Sequence, residues 1–407
     1  MTRSTLVVVV AAVVALSGCS GPLVGEQPTP TATVDSPTVS KSPTPKPTAT
    51  PEATPTPDGS DSDEVTVRGG TLPVNATEIW YRFLDLRGFD RDRYRPPVIR
   101  VDSPPTEGIV RPITRYAELA ERLGVRAVNF DPEDVDEPGG MFTSSGPIVI
   151  YPRNGTAEEI ERVLVHEFEH YVQPHDSFRR LGRPVTEGAA VYVGVEYAER
   201  YLESLSPVAS RRTDYVDGTG ALKLNAADYY FGYRYVDRRI DSPKELDRVY
   251  EDPPETASQL LHGHDWNASR PLPVETGESL RASNVPAGEL FLRVTLATEL
   301  NESTAARAAA GWANDTVVEQ DGFADESAGN VWVLRTTDER NATELASTFE
   351  RFLDARATDD GDHWRANGTV YRLVRVDPTT LAVVLGDEDF VDEVVVSKNG
   401  ETVVVKR

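Results

Sequence analysis

The spacing of apolar residues changes several times along this chain, and each change marks an element. Residues 6–16 are an unbroken apolar run behind Arg3, bounded by Ser17 and Gly18. A helix needs about twenty apolar residues to span a bilayer, so the run is too short. From Ser20 to about Glu64 the pattern dissolves into Pro, Thr and Ser, which cannot bury enough surface to offset the entropy of ordering. Periodicity returns near Arg68. Helical spacing is expected over 79–86 and 116–123, the second ending at Gly124. Residues 147–151 form a compact apolar run between Gly146 and Pro152, the mark of a strand. Asn154-Gly155 turns the chain, and Thr156 with Glu159 makes a capping box that opens a helix stopped by Pro174. Further helices are expected from Glu187 to about Leu202 and over 255–261. Beyond Pro271 the pattern predicts helices at 289–293, 305–312 and 343–353, and strands at 331–334, 369–374, 380–385 and 402–405.

Charge narrows the possible partners. Against 42 Lys+Arg stand 66 Asp+Glu, a formal net of −24, so binding a polyanion would have to overcome long-range repulsion, and nucleic acid is excluded as a partner. Six of the basic residues are lysines and the rest arginines, an acid-rich, lysine-poor balance that suits hydration in concentrated salt. A halophilic, archaeal origin is the expectation. Cys19 is the only cysteine, which rules out an intramolecular disulfide. It closes Leu16-Ser17-Gly18-Cys19, which resembles a lipobox, so residues 1–19 are expected to be a lipoprotein signal peptide with Cys19 lipidated. Residues 20–68 would then be a disordered stalk holding the folded part on the outer face of the cell membrane. Sequons at Asn75, Asn154, Asn267, Asn301, Asn314, Asn341 and Asn367 use seven of the twelve asparagines, an excess expected of an exported glycoprotein.

The chemistry concentrates in His166-Glu167-Phe168-Glu169-His170. On a helix the two histidines lie about 40° apart and one turn apart, so both rings reach one metal ion. Glu167 follows about 60° beyond His170, where a carboxylate reaches a water on the ion without being a ligand itself. Ile160, Val163, Leu164 and Tyr171 continue that arc, which puts the motif on the buried side of the helix. A hydrolytic zinc site uses three protein ligands and one open position.

With Thr186-Glu187-Gly188-Ala189-Ala190 downstream, the HExxH segment resembles the gluzincin metallopeptidases. The resemblance implies Glu187 as the third ligand at the start of the following helix, with small Gly188, Ala189 and Ala190 allowing close helix approach. It departs from that family at Val191, where an aspartate usually braces a histidine, so another group must orient the imidazoles. His175 is a competing ligand, but Gln173 and Asp176 break the metzincin spacing. For an oxyanion donor the candidates are the tyrosine cluster Tyr229, Tyr230, Tyr233 and Tyr235, and His262, with core packing as the competing role for each. The run 308–315 followed by Val331-Trp332 resembles the tail of HExxH surface proteins of haloarchaea. These resemblances cover residues 148–352 unevenly and are most specific over 166–190.

Together they imply an α+β fold. A gluzincin-like metallopeptidase domain at 69–270 would carry an edge strand, the HExxH helix, the glutamate helix and further helices, and a small mixed α/β module would follow at 271–407. The expected function is a membrane-anchored extracellular zinc peptidase that hydrolyses peptide bonds with one Zn2+ ion, a zinc-activated water and Glu167 as general base. Its partners would be a protein or peptide substrate and the membrane. The alternative is a glycosylated surface protein whose structural or vestigial zinc site serves adhesion or envelope organisation.

Overall fold

A computed structural model describes residues 63–106, 108–131, 134–142, 146–174, 181–203, 207–320 and 328–407. Cys19, the signal segment, most of the stalk and His175 lie outside the described residues. The chain is mixed α+β. Strands β1 (Thr66–Arg68), β2 (Val98–Val101), β3 (Gly108–Val110), β4 (Val128–Phe130), β5 (Gly139–Met141) and β6 (Ile148–Tyr151) open the fold. Four of them form a sheet ordered β1-β2-β6-β5, in which β1, β2 and β6 run parallel and β5 is an antiparallel edge. Helix α1 (Ala76–Arg87) connects β1 to β2, and α2 (Ala117–Arg122) lies between the paired strands β3 and β4.

Beyond β6 the first part is helical: α3 (Ala157–Val172), α4 (Arg183–Tyr201), α5 (Pro207–Asp217), α6 (Gly220–Arg239), α7 (Asp247–Glu251) and α8 (Ala257–His262). The predicted start of α3 is present as read: Thr156 Oγ1 accepts from the Glu159 N–H at 3.3 Å, and Glu159 accepts from the Thr156 N–H at 2.7 Å. Helix α4 corrects the sequence expectation, because it begins at Arg183 rather than Glu187. Gly182, at φ 74°, turns the chain immediately before it, and Pro184 in the first turn is pre-set for helical φ. Glu187 therefore sits in the second turn, beyond the carbonyl-free N–H groups of the helix start.

Helices α4 and α6 make the closest helix crossing of the molecule's first part, at two glycines. A Cβ on Gly188 would stand 2.1 Å from the Gly232 carbonyl carbon, and one on Gly232 would stand 1.7 Å from the Pro184 oxygen. Neither position has room for a side chain, so backbone meets backbone there.

The remaining elements are β7 (Val274–Thr276), β8 (Leu280–Ala282), α9 (Gly288–Leu296), α10 (Glu302–Ala309), β9 (Trp312–Gln320), β10 (Gly329–Thr336), α11 (Glu339–Arg356), β11 (Thr358–Asp359), β12 (Trp364–Ala366), β13 (Thr369–Asp377), β14 (Thr380–Gly386), α12 (Glu388–Glu393), β15 (Val395–Asn399) and β16 (Thr402–Lys406). A sheet ordered β11-β12-β13-β14-β10-β9-β8 forms the centre. In β10, Trp332 and Leu334 face the main core, whereas Val331 and Val333 face a second cluster with Val384 and Phe390. Burial on both faces explains why β10 and β14 read as continuous apolar runs. The expected helix over 305–312 ends at Ala309, and Trp312 begins β9 instead. Its Asn-Asp pair reads locally as a turn, but Asp315 is buried and accepts from the Ala287 and Gly288 N–H groups and from Trp312 Nε1, at 2.7, 2.8 and 2.8 Å. One apolar core runs through both parts of the chain, from Val65 to Leu385.

Candidate metal centre

Three donor atoms converge between α3 and α4. His166 Nε2 and His170 Nε2 are 3.1 Å apart, and Glu187 Oε2 is 3.4 Å from each. Four ligands held about 2.0–2.1 Å from a tetrahedral zinc stand roughly 3.3–3.4 Å from one another. The two edges to Glu187 have that length and the edge between the histidines is shorter, at 3.1 Å, and no other group of three or more candidate ligands occurs among the described residues. The rings meet edge to face at 86°. Glu187 Oε2 is buried and has no hydrogen-bond partner among the described residues, an arrangement that costs about 1–3 kcal/mol or more for a charged oxygen unless something else compensates it. A divalent cation at the focus supplies that compensation, so the residues fit zinc. The histidine side chains remain 14% and 13% exposed while Glu187 is 2% exposed, which leaves access on the histidine side.

The brace missing at Val191 on α4 is supplied instead from the C-terminal end of α3. Gln173, the C-cap of the helix, places Oε1 2.9 Å from His170 Nδ1. That contact assigns the proton to Nδ1 and leaves Nε2 as the free donor. Gln173 is held in turn, donating to the Thr186 carbonyl at 2.9 Å and to the Tyr250 hydroxyl at 3.1 Å. Tyr250 donates to Glu169 at 2.6 Å, and Glu169 receives Arg87 Nε at 2.8 Å. Each member of this chain is buried, so His170 is fixed by a connected network that reaches α1 and α7. His166 is packed differently, with the Tyr229 ring stacked 6.0 Å away at 19°.

Glu167 lies beside the triangle rather than in it. The edge strand β5 crosses at Gly140, where a Cβ would be 2.7 Å from Glu167 Cγ and 2.8 Å from Val163 Cγ1. Burial and the Glu187 charge push the Glu167 carboxyl up to about 7, against the pull of His170 and of the Phe142 backbone N–H. A general base works best at such a value. Burial also pushes Glu187 up, but the His166 and His170 rings, each 3.4 Å from Oε2, and the nearby Arg183 outweigh it and hold the carboxyl well below the ordinary range. Burial lowers His166 to about 4, so that ring is neutral.

Of the oxyanion candidates, Tyr229 is the one at the site. Its buried hydroxyl lacks a partner, and burial together with the Glu187 charge keeps it protonated by raising its pKa. Arg183 and Arg211 lie over its ring at 5.6 and 5.1 Å. The structure places Tyr233 elsewhere: its hydroxyl donates to Asp237 at 3.2 Å, one turn along α6. His262 is likewise occupied away from the triangle, with Nε2 2.6 Å from Glu289 Oε1 and its ring against Trp266. Tyr215 and Phe231 pack with Tyr230, and Tyr235 contacts His264 at 3.1 Å.

Among the sequons, Asn75, Asn154, Asn267, Asn301 and Asn367 are exposed. Asn75 and Asn301 are N-caps of α1 and α10, so Asn followed by Ser or Thr has a structural use at those two positions. Asn314 and Asn341 are partly buried and donate from Nδ2 to the Arg270 carbonyl and to Thr337, at 2.8 and 2.7 Å. Those two amides are the nitrogens a glycan would need. Among the described residues no helix is long and apolar enough to cross a membrane.

A family model described as a domain of unknown function (DUF8575) matches residues 278–406, which span β8 to β16. No curated protein and no solved structure matches the chain. The three donors and Glu167 lie outside the matched residues.

Proposed function

We propose that the protein is a zinc-dependent peptidase of gluzincin type, tethered to the outer face of a membrane through Cys19 and its stalk. The observation that carries this reading is the triangle of His166, His170 and Glu187 with edges of 3.1, 3.4 and 3.4 Å, flanked by a carboxylate that belongs to none of its corners. A structural zinc site is closed by four protein ligands, whereas three donors with an open side are the arrangement of a hydrolytic one. Zinc, when bound, polarises a substrate carbonyl and makes a water acidic. Glu167 is placed to take the proton from that water and to return it to the departing amine. The Tyr229 hydroxyl, protonated and without a partner, is a donor for the oxygen that gains charge. Gln173 keeps His170 in its tautomer throughout. Strand β5, which among the described residues pairs with β6 alone, offers an open edge beside Glu167 on which an extended peptide adds as a further strand. The acidic, lysine-poor surface and the lipobox-like N-terminus support a secreted halophilic protein.

The test compares wild type with Glu167→Gln at equal zinc content. Peptide cleavage is expected to fall about 10²–10⁴-fold while one zinc per chain is retained. Undiminished cleavage in the variant, or a zinc-loaded protein that cuts no peptide, contradicts the assignment and favours the adhesion role.

A further inference from the structure

Beside the triangle lies a recess of about 50 Å3 between α3, α4, α5 and β5. His166 and Glu167 form one wall, and the opposite wall is small, with Ala190 and Gly194 one turn apart on α4. A Cβ on Gly194 would meet nothing within 4 Å, so the recess widens in that direction. Two arginines line it, Arg162 one turn before His166 on α3 and Arg211 on α5. Arg211 is engaged, paired with Asp214 at 3.4 Å and lying over the Tyr229 ring. Arg162 differs. It is partly buried and makes no hydrogen bond or ion pair among the described residues. Glu137, which also lines the recess, and Glu159 are the opposing charges that act on it, yet neither reaches contact, and Arg211 repels it. Burial, reinforced by that repulsion, lowers the Arg162 pKa. A chain with 66 acidic residues has ample means to neutralise an arginine. Leaving one unpaired, half out of water and facing a second arginine beside the proposed reacting groups, is the arrangement of a site for an incoming anion.

We propose that this recess is a substrate-carboxylate subsite in which Arg162, assisted by Arg211, selects peptides bearing an acidic group next to the bond to be cut. The inference rests on the peptidase reading only in taking the anion to be part of a peptide. The carboxylate comes from an acidic side chain or from a free C-terminus, and the guanidinium recognises both in the same way.

The experiment uses the full zinc-loaded chain carrying Glu167→Gln, so that no probe is cut, and measures binding by fluorescence anisotropy. Three labelled hexapeptide pools of otherwise neutral residues are compared: amidated with one glutamate, amidated with glutamine in its place, and the glutamine pool with a free carboxylate. At least one carboxylate pool is expected to bind about 10–100-fold tighter than the neutral pool. The glutamate pool winning identifies a side-chain site, and the free-carboxylate pool winning identifies a terminal one. Adding Arg162→Gln should erase that gap at unchanged zinc content, Arg162→Lys should restore part of it, and the melting temperature of Arg162→Gln should equal or exceed that of its parent because a repelled charge has gone. Equal binding of all pools, a gap that survives Arg162→Gln, or a gap lost only together with the zinc overturns the subsite. Carboxylate-selective binding by a chain whose unmutated form cleaves nothing upholds the subsite and sinks the peptidase reading instead. If none of the pools binds, both fail.

Discussion

Glu167 and Glu187 are both buried carboxylates beside the same two imidazoles, yet burial raises one to about 7 while the imidazoles hold the other well below its ordinary value. Their neighbours suit one to the proposed role of base and the other to that of ligand. Gln173 sets a third role, and its contribution is measurable on its own. Replacing it with leucine keeps the bulk but removes the acceptor from His170 Nδ1, and zinc affinity is expected to fall about 10–100-fold in competition with a chromophoric chelator. An unchanged affinity would mean that packing alone orients the ring. Proton linkage gives a second check. Burial lowers His170, but the Glu187 carboxylate 3.4 Å away outweighs it and lifts the ring to about 9, whereas His166 at about 4 is already neutral. Below about pH 9 one proton must therefore leave before both imidazoles can donate. Zinc affinity should rise roughly tenfold per pH unit from about pH 7 and level off above the His170 pKa. Affinity independent of pH over that range would contradict the assignment. At this scale the sequence was informative where a motif exists and silent where it does not. The HExxH spacing singles out His166, His170 and Glu167, but a glutamine three residues after a histidine carries no signature, and Tyr229 is indistinguishable from Tyr233 until α6 is rotated against α4.

The elements owe their placement to a few local devices. The Thr156–Glu159 box and Pro174 delimit α3 from sequence alone, and the structure differs by two residues or fewer at either end. The glutamate helix is legible in existence but not in its start, because Gly182 and Pro184 were outweighed by the family likeness that places a glutamate first. Close helix approach was anticipated from Gly188, while its partner Gly232 lies on a helix far along the chain, a tertiary contact that no local pattern encodes. That crossing also holds Tyr229, one turn before Gly232, against the triangle. Gly232→Ala puts a methyl group into the Pro184 carbonyl and should force α6 away. A loss of about 1–3 kcal/mol in urea melts is expected, with weakened zinc binding. Wild-type stability in that variant would show that the helices are not in backbone contact. Strand β9 escaped notice because Asn314 and Asp315 imitate a turn, and only the buried amides at the start of α9 and the Trp312 indole reconcile Asp315 with a central position.

On the scale of the whole molecule, the pattern beyond Pro271 foretold mixed strands and helices, but not the order of the seven-stranded sheet. Sheet order depends on pairings between distant segments, such as Val331 with Val384 and Val318, that share the same apolar alternation and so are not distinguished by it. The shared core ties that sheet to the helices that carry the site: the Tyr371 hydroxyl donates to the Arg122 carbonyl at 2.6 Å, and Tyr215 reaches Glu302 at 2.5 Å. The three donor side chains thus stand on a scaffold braced from both parts of the chain. The most direct test is anomalous diffraction recorded on either side of the zinc absorption edge from a crystal of the full chain. One peak is expected within about 2.0–2.2 Å of His166 Nε2, His170 Nε2 and a Glu187 oxygen. A crystal grown with zinc that shows no such peak there, or a peak ligated without Glu187, would contradict the account.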